Sequence, residues 1–192
     1  MAFSQLPEYQ YTRLEHEHIR MVTLHPGAPT DPLRISINTR YLHFCPAYTA
    51  VSYVWGSSER PHLIDAADTA TGAIRVTENL RNLLLNIRPG PEEERIYVWA
   101  DSICINQEDQ KEKTEQVKLM GRIFARADKT IFYLGEEDED SKMAFKTVKI
   151  LNMMKGWPWP PGAPDIWRPF IRFLTRPWFY RTWIIQEVVV AK

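Results

Sequence analysis

The segment Tyr48-Thr-Ala-Val-Ser-Tyr-Val-Trp-Gly56 decides the fold class of this chain. It is a continuous run of small, β-branched and aromatic residues that ends at a glycine. A strand with one solvated face would alternate polar and apolar residues, so this run predicts a central strand that is covered on both faces. Strands of that kind are typical of parallel sheets, in which helices cover the two faces.

Patterns on either side of this strand alternate between strand and helix. We predict a β-hairpin at Ile19–Leu24 and Arg34–Leu42, strands at Arg95–Ile105 and Thr130–Leu134, and helices at Thr77–Ile87, Glu108–Ala127, Ala144–Leu151, Ile166–Leu174 and Trp178–Val190. Between them we predict a loop at Ser58–Ala73 and a Pro- and Trp-rich connector at Trp157–Pro164. The order strand, helix, strand, helix, strand predicts an α/β fold with a mostly parallel sheet flanked by helices.

Composition narrows the classes of function. The 192 residues suit one domain, and 24 basic residues balance 24 acidic residues, so the net charge is zero. A protein that binds nucleic acid through phosphates usually carries a basic surplus. No run reaches the length of a membrane span, no signal-peptide pattern begins the chain, and two cysteines are few for a secreted domain. We therefore expect a cytoplasmic protein that binds neither nucleic acid nor a membrane.

Ligands of parallel sheets bind beyond the carboxyl ends of the strands. Tyr53, Trp55 and Gly56 end the first central strand, where two aromatic rings could stack on a flat base and the glycine allows close approach. The alternative is a strand-terminal turn with core aromatics. Arg60 lies just beyond and could meet a phosphate, although the chain has no Gly-rich phosphate loop of either common type.

A polar run that begins with Asp101 and Ser102 marks the end of the next predicted strand. An acid at such a position can hold a ribose hydroxyl. The alternative for Asp101 is an Asx-turn or a salt bridge to Arg122. Cys104 would need a nearby histidine to act as a nucleophile, and all five histidines lie upstream, so we expect a buried structural cysteine.

Glu187 is the acidic residue that the helical pattern singles out. In the predicted C-terminal helix it shares one apolar stripe with Phe179, Trp183 and Val190. A carboxylate on such a face is costly unless it is paired or used, which makes Glu187 a candidate functional residue. In the alternative, Glu187 pairs with an arginine or caps backbone N–H groups and locks this helix to the sheet.

Three blocks follow one another along the chain. They are the Tyr48–Gly56 segment, Val98-Trp-Ala-Asp-Ser-Ile-Cys-Ile-Asn-Gln107, and Arg176-Pro-Trp-Phe-Tyr-Arg-Thr-Trp-Ile-Ile-Gln-Glu187. Together they resemble the HET (heterokaryon-incompatibility) family in order and spacing, and the likeness extends over roughly Ile19–Ala191. Three long blocks in register make a specific signal, unlike a lone short motif. The resemblance implies a fungal cell-death signalling module with a role in innate immunity.

The HET family in turn resembles TIR domains, which implies a flavodoxin-like sheet. On this basis we expect a single HET domain over 1–192, with a β-hairpin addition at 1–45 and a TIR-like core at 46–192. Trp183-Ile-Ile-Gln-Glu187 is similar to the W-x-x-x-E pattern in the TIR helix that bears the catalytic glutamate. TIR enzymes cleave NAD into nicotinamide and ADP-ribose or its cyclic forms.

By this resemblance Glu187 is the expected catalytic residue and NAD the candidate substrate, with no cofactor and no metal. One carboxylate suits this chemistry because nicotinamide leaves as a neutral group, while the carboxylate stabilises an oxocarbenium-like transition state. The expected substrate-binding residues are Tyr53, Trp55, Gly56, Asp101, Ser102 and Trp183. The resemblance also implies that activation requires a homo-oligomer and that other signalling proteins are partners.

The alternative function is a non-catalytic module that triggers programmed cell death through self-association or as an adaptor. Glu187 would then be structural. Because Lys192 follows Glu187 so closely, we expect the chain to be a fragment of a longer protein.

Overall fold

The computed structural model describes residues 7–66, 72–153 and 167–191, which fall into two compact units. The first unit is Met1–Tyr133 with Ile185–Lys192, and the second is Leu134–Ile184. The strands are β1 (His18–Leu24), β2 (Ile35–Tyr41), β3 (Thr49–Tyr53), β4 (His62–Asp65), β5 (Ala73–Val76), β6 (Ile96–Trp99) and β7 (Lys129–Tyr133). The α-helices are α1 (Glu78–Ile87), α2 (Asp101–Cys104), α3 (Gln110–Arg126), α4 (Glu139–Met153), α5 (Trp167–Leu174) and α6 (Ile184–Val190). Short 3-10 helices span Leu42–Phe44 and Pro177–Tyr180.

A five-stranded sheet in the order β2-β1-β6-β3-β7 forms the centre of the first unit. Strand β3 pairs in parallel with both β6 and β7, whereas β1 runs antiparallel to both β2 and β6. The predicted α/β fold, with helices flanking a sheet that has a parallel centre, is therefore confirmed. The predicted N-terminal hairpin exists as β1 and β2, and it belongs to the same sheet because β1 pairs with β6.

Strand β3 is covered on both faces, as its sequence predicts. Ala50, Val51, Ser52 and Tyr53 are each at most 2% exposed, although β3 contains a serine among apolar neighbours. Burial of one large apolar side chain contributes roughly 1.5–3 kcal/mol to the stability of the fold. A central strand of this kind therefore fixes the positions of the elements that pack on each side of it.

The two longer helices of the first unit, α1 and α3, begin at side-chain caps. Thr77 caps α1, and its Oγ1 accepts a hydrogen bond from the backbone N–H of Leu80. Asp109 caps α3 by accepting from the backbone N–H groups of Lys111 and Glu112. Each cap satisfies N–H groups that have no partner within the helix, which is typically worth about 1 kcal/mol.

Two predicted segments of the first unit are wrong in part. The strand predicted to reach Ile105 ends at Trp99, because Asp101–Cys104 turn into α2. Within that turn, Asp101 Oδ1 accepts from the N–H of Ser102 at 2.8 Å, a local bond that competes with strand pairing. The predicted loop Ser58–Ala73 contains β4, which pairs antiparallel with β5 in a separate two-stranded sheet. Strands of four residues carry too short a pattern to be recognised.

The continuous helix predicted at Trp178–Val190 is also wrong. The chain forms a 3-10 helix at Pro177–Tyr180, and Arg181 then adopts an extended backbone with φ −71° and ψ 134° that ends the helical turn. Helix α6 starts only at Ile184. The expected apolar stripe through Phe179 and Glu187 is therefore interrupted.

The second unit packs α4 and α5 around aromatic contacts. Phe173 meets the rings of Phe145 and Phe179 with centroids 5.4 and 5.6 Å apart. Arg176 donates to the carbonyl of Leu134 and pairs with Asp138 at 2.7 Å, so it holds the two ends of the unit together. The predicted connector Trp157–Pro164 lies outside the described residues.

A buried arginine organises the N-terminal part of the first unit. Arg20 is 1% exposed and forms a two-pronged ion pair with Glu112, at 2.5 and 3.0 Å. The same guanidinium donates to the carbonyl of Cys104 and lies over the ring of Tyr11, 4.7 Å from its centroid. Loss of one partner of a buried pair typically costs about 3–5 kcal/mol because the other charge stays buried. No sequence pattern singled out this arginine.

None of the helices in the described residues has both the length and the apolar character that a membrane span needs.

Acid should weaken the attachment of the turn at Glu17. Hydrogen bonds from Arg122 and Tyr41 lower the pKa of Glu17 from 4.5 to about 2. Because the folded-state pKa lies below the ordinary value, these contacts stabilise the fold above pH 4.5 and lose that effect as the pH falls toward 2.

Glu17→Gln should therefore lower the free energy of unfolding at neutral pH and have a much smaller effect near pH 2, because there the wild-type carboxyl of the folded protein is about half protonated. Urea unfolding of both proteins between about pH 2 and pH 7 measures this difference. Equal destabilisation by Glu17→Gln at all pH values would contradict it.

Candidate functional site

Glu187 is bonded to the central strand of the first unit. Ser52 on β3 donates a hydrogen bond from its Oγ to Glu187 Oε2. Both residues are 1% exposed. This hydrogen bond joins helix α6 to β3 through a carboxyl group that is buried from solvent.

Gln186 on α6 also faces the first unit and lies close to α3. A Cβ atom added at Gly121 would come within 2.5 Å of Gln186 Nε2, so the Gln186 side chain lies directly against the backbone of α3 at this glycine. The other side of α6 carries exposed apolar residues, with Ile185 73% and Val189 76% exposed. The inner side of α6 combines these polar contacts with Val190, which packs against the hydrophobic core.

The contact between Ser52 and Glu187 suits a structural lock. A carboxylate taken out of water is costly unless hydrogen bonds compensate it, and a hydroxyl donor supplies one such bond. Of the two interpretations of Glu187 made from the sequence, this geometry favours attachment of the helix to the sheet. In this contact the donor is a serine hydroxyl, a partner that the sequence had not suggested.

Trp55 and Asp101 meet at the carboxyl ends of β3 and β6. The indole Nε1 of Trp55 lies 3.1 Å from both carboxylate oxygens of Asp101. The backbone carbonyl of Asp101 accepts from the Gln107 side chain at 3.0 Å. Arg122, the alternative partner that we considered for Asp101, pairs with Glu17 instead.

Tyr53 and Ser102 also form a pair between β3 and α2. The hydroxyl of Tyr53 lies 2.5 Å from Ser102 Oγ, and both side chains are buried. A tyrosine whose ring is 1% exposed contributes to the core. This placement supports the core-aromatic alternative for Tyr53, whereas Trp55 is half-buried and stays near the surface.

Gly56 adopts a backbone conformation that other residues avoid. Its φ is +79°, and an added Cβ would come 3.0 Å from the amide nitrogen of Asn79. Asn79 itself donates to the carbonyl of Val54 at 2.9 Å. The glycine therefore permits a tight turn directly after β3, where the chain passes close to Asn79 in the first turn of α1.

A cavity of about 150 Å³ lies at this turn, lined by residues that include Trp55, Gly56 and Asn79. Pockets for drug-sized ligands are typically about 300–1,000 Å³, so this one is small. Glu187 does not line it. Trp183, the remaining predicted substrate-binding residue, belongs to the second unit, where it lies in a turn and is 46% exposed.

The sequence missed three residues that shape this region, namely Ser52, Asn79 and Gln186. Ser52 carried a usable signal, because it is a polar residue in a run predicted to be buried on both faces. The close approach of Gln186 to Gly121 joins residues far apart in the chain and leaves no local pattern.

Metal and thiol chemistry find little support. Within the part of the chain that the structure describes, no group of three histidine, cysteine, aspartate or glutamate residues could hold a metal ion. Cys104 is fully buried, and this burial raises its pKa to about 12, so the thiol stays protonated at neutral pH. The prediction of a buried structural cysteine is confirmed.

The model of one protein family matches most of the chain. This family is described as heterokaryon incompatibility protein (HET), and the match covers residues 48–187. The chain belongs to the HET family. It is also 31% identical to heterokaryon incompatibility protein 6, OR allele, of Neurospora crassa, over 88% of the chain. That match spans only 31% of the length of the relative. No solved structure matches the chain, so the likeness to TIR domains stays a prediction.

The hydrogen bond between Ser52 and Glu187 connects the two ends of the HET region. The match starts at Tyr48, directly before β3, and ends at Glu187 itself. Ser52 of the first sequence block and Glu187, the last residue of the third block, therefore form a buried contact.

Ser52→Ala should destabilise the HET domain by about 1–3 kcal/mol, because the Glu187 carboxylate would lose a donor while it stays buried. Urea unfolding measures the change, with Ser57→Ala as the matched control, since Ser57 is an exposed serine. If the two variants were equally stable, the Ser52 contact would not support α6.

Proposed function

We propose that this chain is a signalling domain of the fungal heterokaryon-incompatibility response and that its activation triggers cell death. Membership of the HET family is the observation that carries this proposal. The relative from Neurospora crassa is named as an incompatibility protein, and the chain corresponds to about a third of its length. Other parts of such a protein would recognise the trigger, and this domain would pass the signal on through self-association or a partner.

The geometry at Glu187 supports a non-catalytic signalling step. A catalytic carboxylate must reach its substrate, whereas the Glu187 side chain is buried and accepts a hydrogen bond from Ser52. The small cavity beside Trp55 and Gly56 does not include Glu187 among its lining residues. In this proposal Glu187 positions α6, and α6 with its exposed apolar side takes part in signalling.

A second candidate function is cleavage of NAD. The observation that favours it is the pair formed by Trp55 and Asp101 at the ends of two parallel strands, where ligands of such sheets bind. An indole and a carboxylate there suit a base and a ribose hydroxyl. This function requires a second conformation in which Glu187 has left Ser52 and faces that end of the sheet.

Glu187→Gln separates the two candidates. A glutamine keeps the size of the side chain and an oxygen that accepts from Ser52, so a structural role should survive the change. A carboxylate that stabilises positive charge in a transition state would lose its function. We expect that expression of the wild-type chain from an inducible promoter kills cells of a filamentous fungus and that Glu187→Gln kills them equally.

The same proteins are purified and incubated at high concentration with NAD, and the release of nicotinamide is measured. We expect no release that depends on Glu187. Release by the wild type together with loss of both release and killing in Glu187→Gln would establish the second candidate instead. If neither protein killed cells, although circular dichroism showed that both were folded, the proposed signalling role would be contradicted.

A further inference from the structure

A second small cavity of the first unit, about 200 Å³ in volume, lies beside the loop that follows α2. Asn106 from this loop forms part of its wall, and Arg60 and Arg75 contribute from the segment before β4 and from β5. Tyr11 lines it from the N-terminal segment. The cavity thus combines side chains from four separate stretches of the chain.

Neither arginine in this wall is paired with a carboxylate of the described residues. Arg60 is half-buried and Arg75 exposed, and neither forms an ion pair or a hydrogen bond with any described residue. By contrast, Arg20, Arg122 and Arg176 are each paired with a carboxylate. A planar guanidinium group can donate two parallel N–H bonds to the oxygens of a phosphate. Two guanidinium groups without a carboxylate partner in one cavity therefore favour binding of a phosphate.

Two carboxylates line the same cavity, those of Glu8 and Glu108. Neither of them pairs with Arg60 or Arg75 among the described residues, so the charges are not neutralised by direct contact. Ionised carboxylates accept hydrogen bonds from hydroxyl groups. The set of lining groups therefore suits a ligand that carries both a phosphate and hydroxyls, because a bare anion would leave the carboxylates without a donor.

The part of the cavity wall formed by Asn106 is fixed by hydrogen bonds to residues outside the cavity. The backbone N–H of Asn106 donates to Glu112 at 2.7 Å, and the buried Arg20 fixes Glu112 in turn. Asn106 Oδ1 accepts from the N–H of Glu108, which leaves the amide NH₂ of Asn106 as a donor for a ligand. A wall that is ordered before binding lowers the entropy cost of binding.

The volume limits the size of the ligand. At roughly 30 Å³ per water molecule, the cavity holds about seven waters. It lies below the typical range of about 300–1,000 Å³ for drug-sized ligands. A phosphate with a few carbon atoms and hydroxyls fits this space, whereas a whole dinucleotide does not.

We propose that this cavity binds a small phosphorylated sugar, with the phosphate held between Arg60 and Arg75 and the hydroxyls facing Glu8 and Glu108. The site is separate from Glu187, and the proposal does not rest on the role in cell death.

Calorimetric titration of the chain tests the proposal with ribose 5-phosphate as the probe, and with ribose and inorganic phosphate as the two partial probes. We expect saturable binding of ribose 5-phosphate, weaker binding of inorganic phosphate and no binding of ribose. The double substitution R60Q/R75Q should weaken binding of ribose 5-phosphate at least about tenfold, because charge-assisted hydrogen bonds are lost.

Arg95→Gln is the matched control, since Arg95 is an exposed arginine that does not line this cavity, and it should bind the probe like the wild type. The proposal is overturned if the wild type shows no saturable binding of ribose 5-phosphate, or if R60Q/R75Q binds it as tightly as the wild type while circular dichroism shows an unchanged fold. Equal affinity for inorganic phosphate and ribose 5-phosphate would overturn the assignment of the sugar part.

Discussion

The rest of the structure depends on a constraint at β3, an interior strand of the sheet, where a buried carboxyl group needs hydrogen-bond donors. Glu187 enters the interior from α6, and the Oγ of Ser52 on the central strand donates to it. A buried carboxyl group is costly without hydrogen-bond donors, and the Ser52 hydroxyl is one donor that offsets this cost. These residues lie near opposite ends of the HET region, at positions 52 and 187 of the match to residues 48–187.

Much of the fold could be predicted from local patterns. The burial of β3 on both faces follows from its unbroken apolar run, and the start of α1 follows from Thr77. The predicted bounds of strands and helices were wrong where local backbone conformation or a few local hydrogen bonds overrode the pattern of apolar residues. Asp101 bonds to its own backbone and ends β6 early, and the extended backbone of Arg181 separates α6 from the preceding turn.

The candidate site could be predicted only in part. The sequence placed Trp55 and Asp101 at neighbouring strand ends, and the structure joins them by a hydrogen bond. It drew attention to Glu187 as an acid among apolar residues, yet it could not supply the partner, because Ser52 is 135 positions away in the chain. Whether such an acid is catalytic or structural depends on the side chains that surround it in the fold. Contacts between residues so far apart in the sequence leave no local pattern from which they could be predicted.

Hydrogen exchange at the backbone amides of α6 tests most directly whether the contact between Ser52 and Glu187 holds this helix on the sheet. The account predicts that Ser52→Ala speeds exchange in the last turn of α6 at least about tenfold, which corresponds to a loss of about 1.4 kcal/mol of local stability, while the amides of β3 keep their protection. Unchanged exchange in α6 would contradict the account, because α6 would then be held by other contacts.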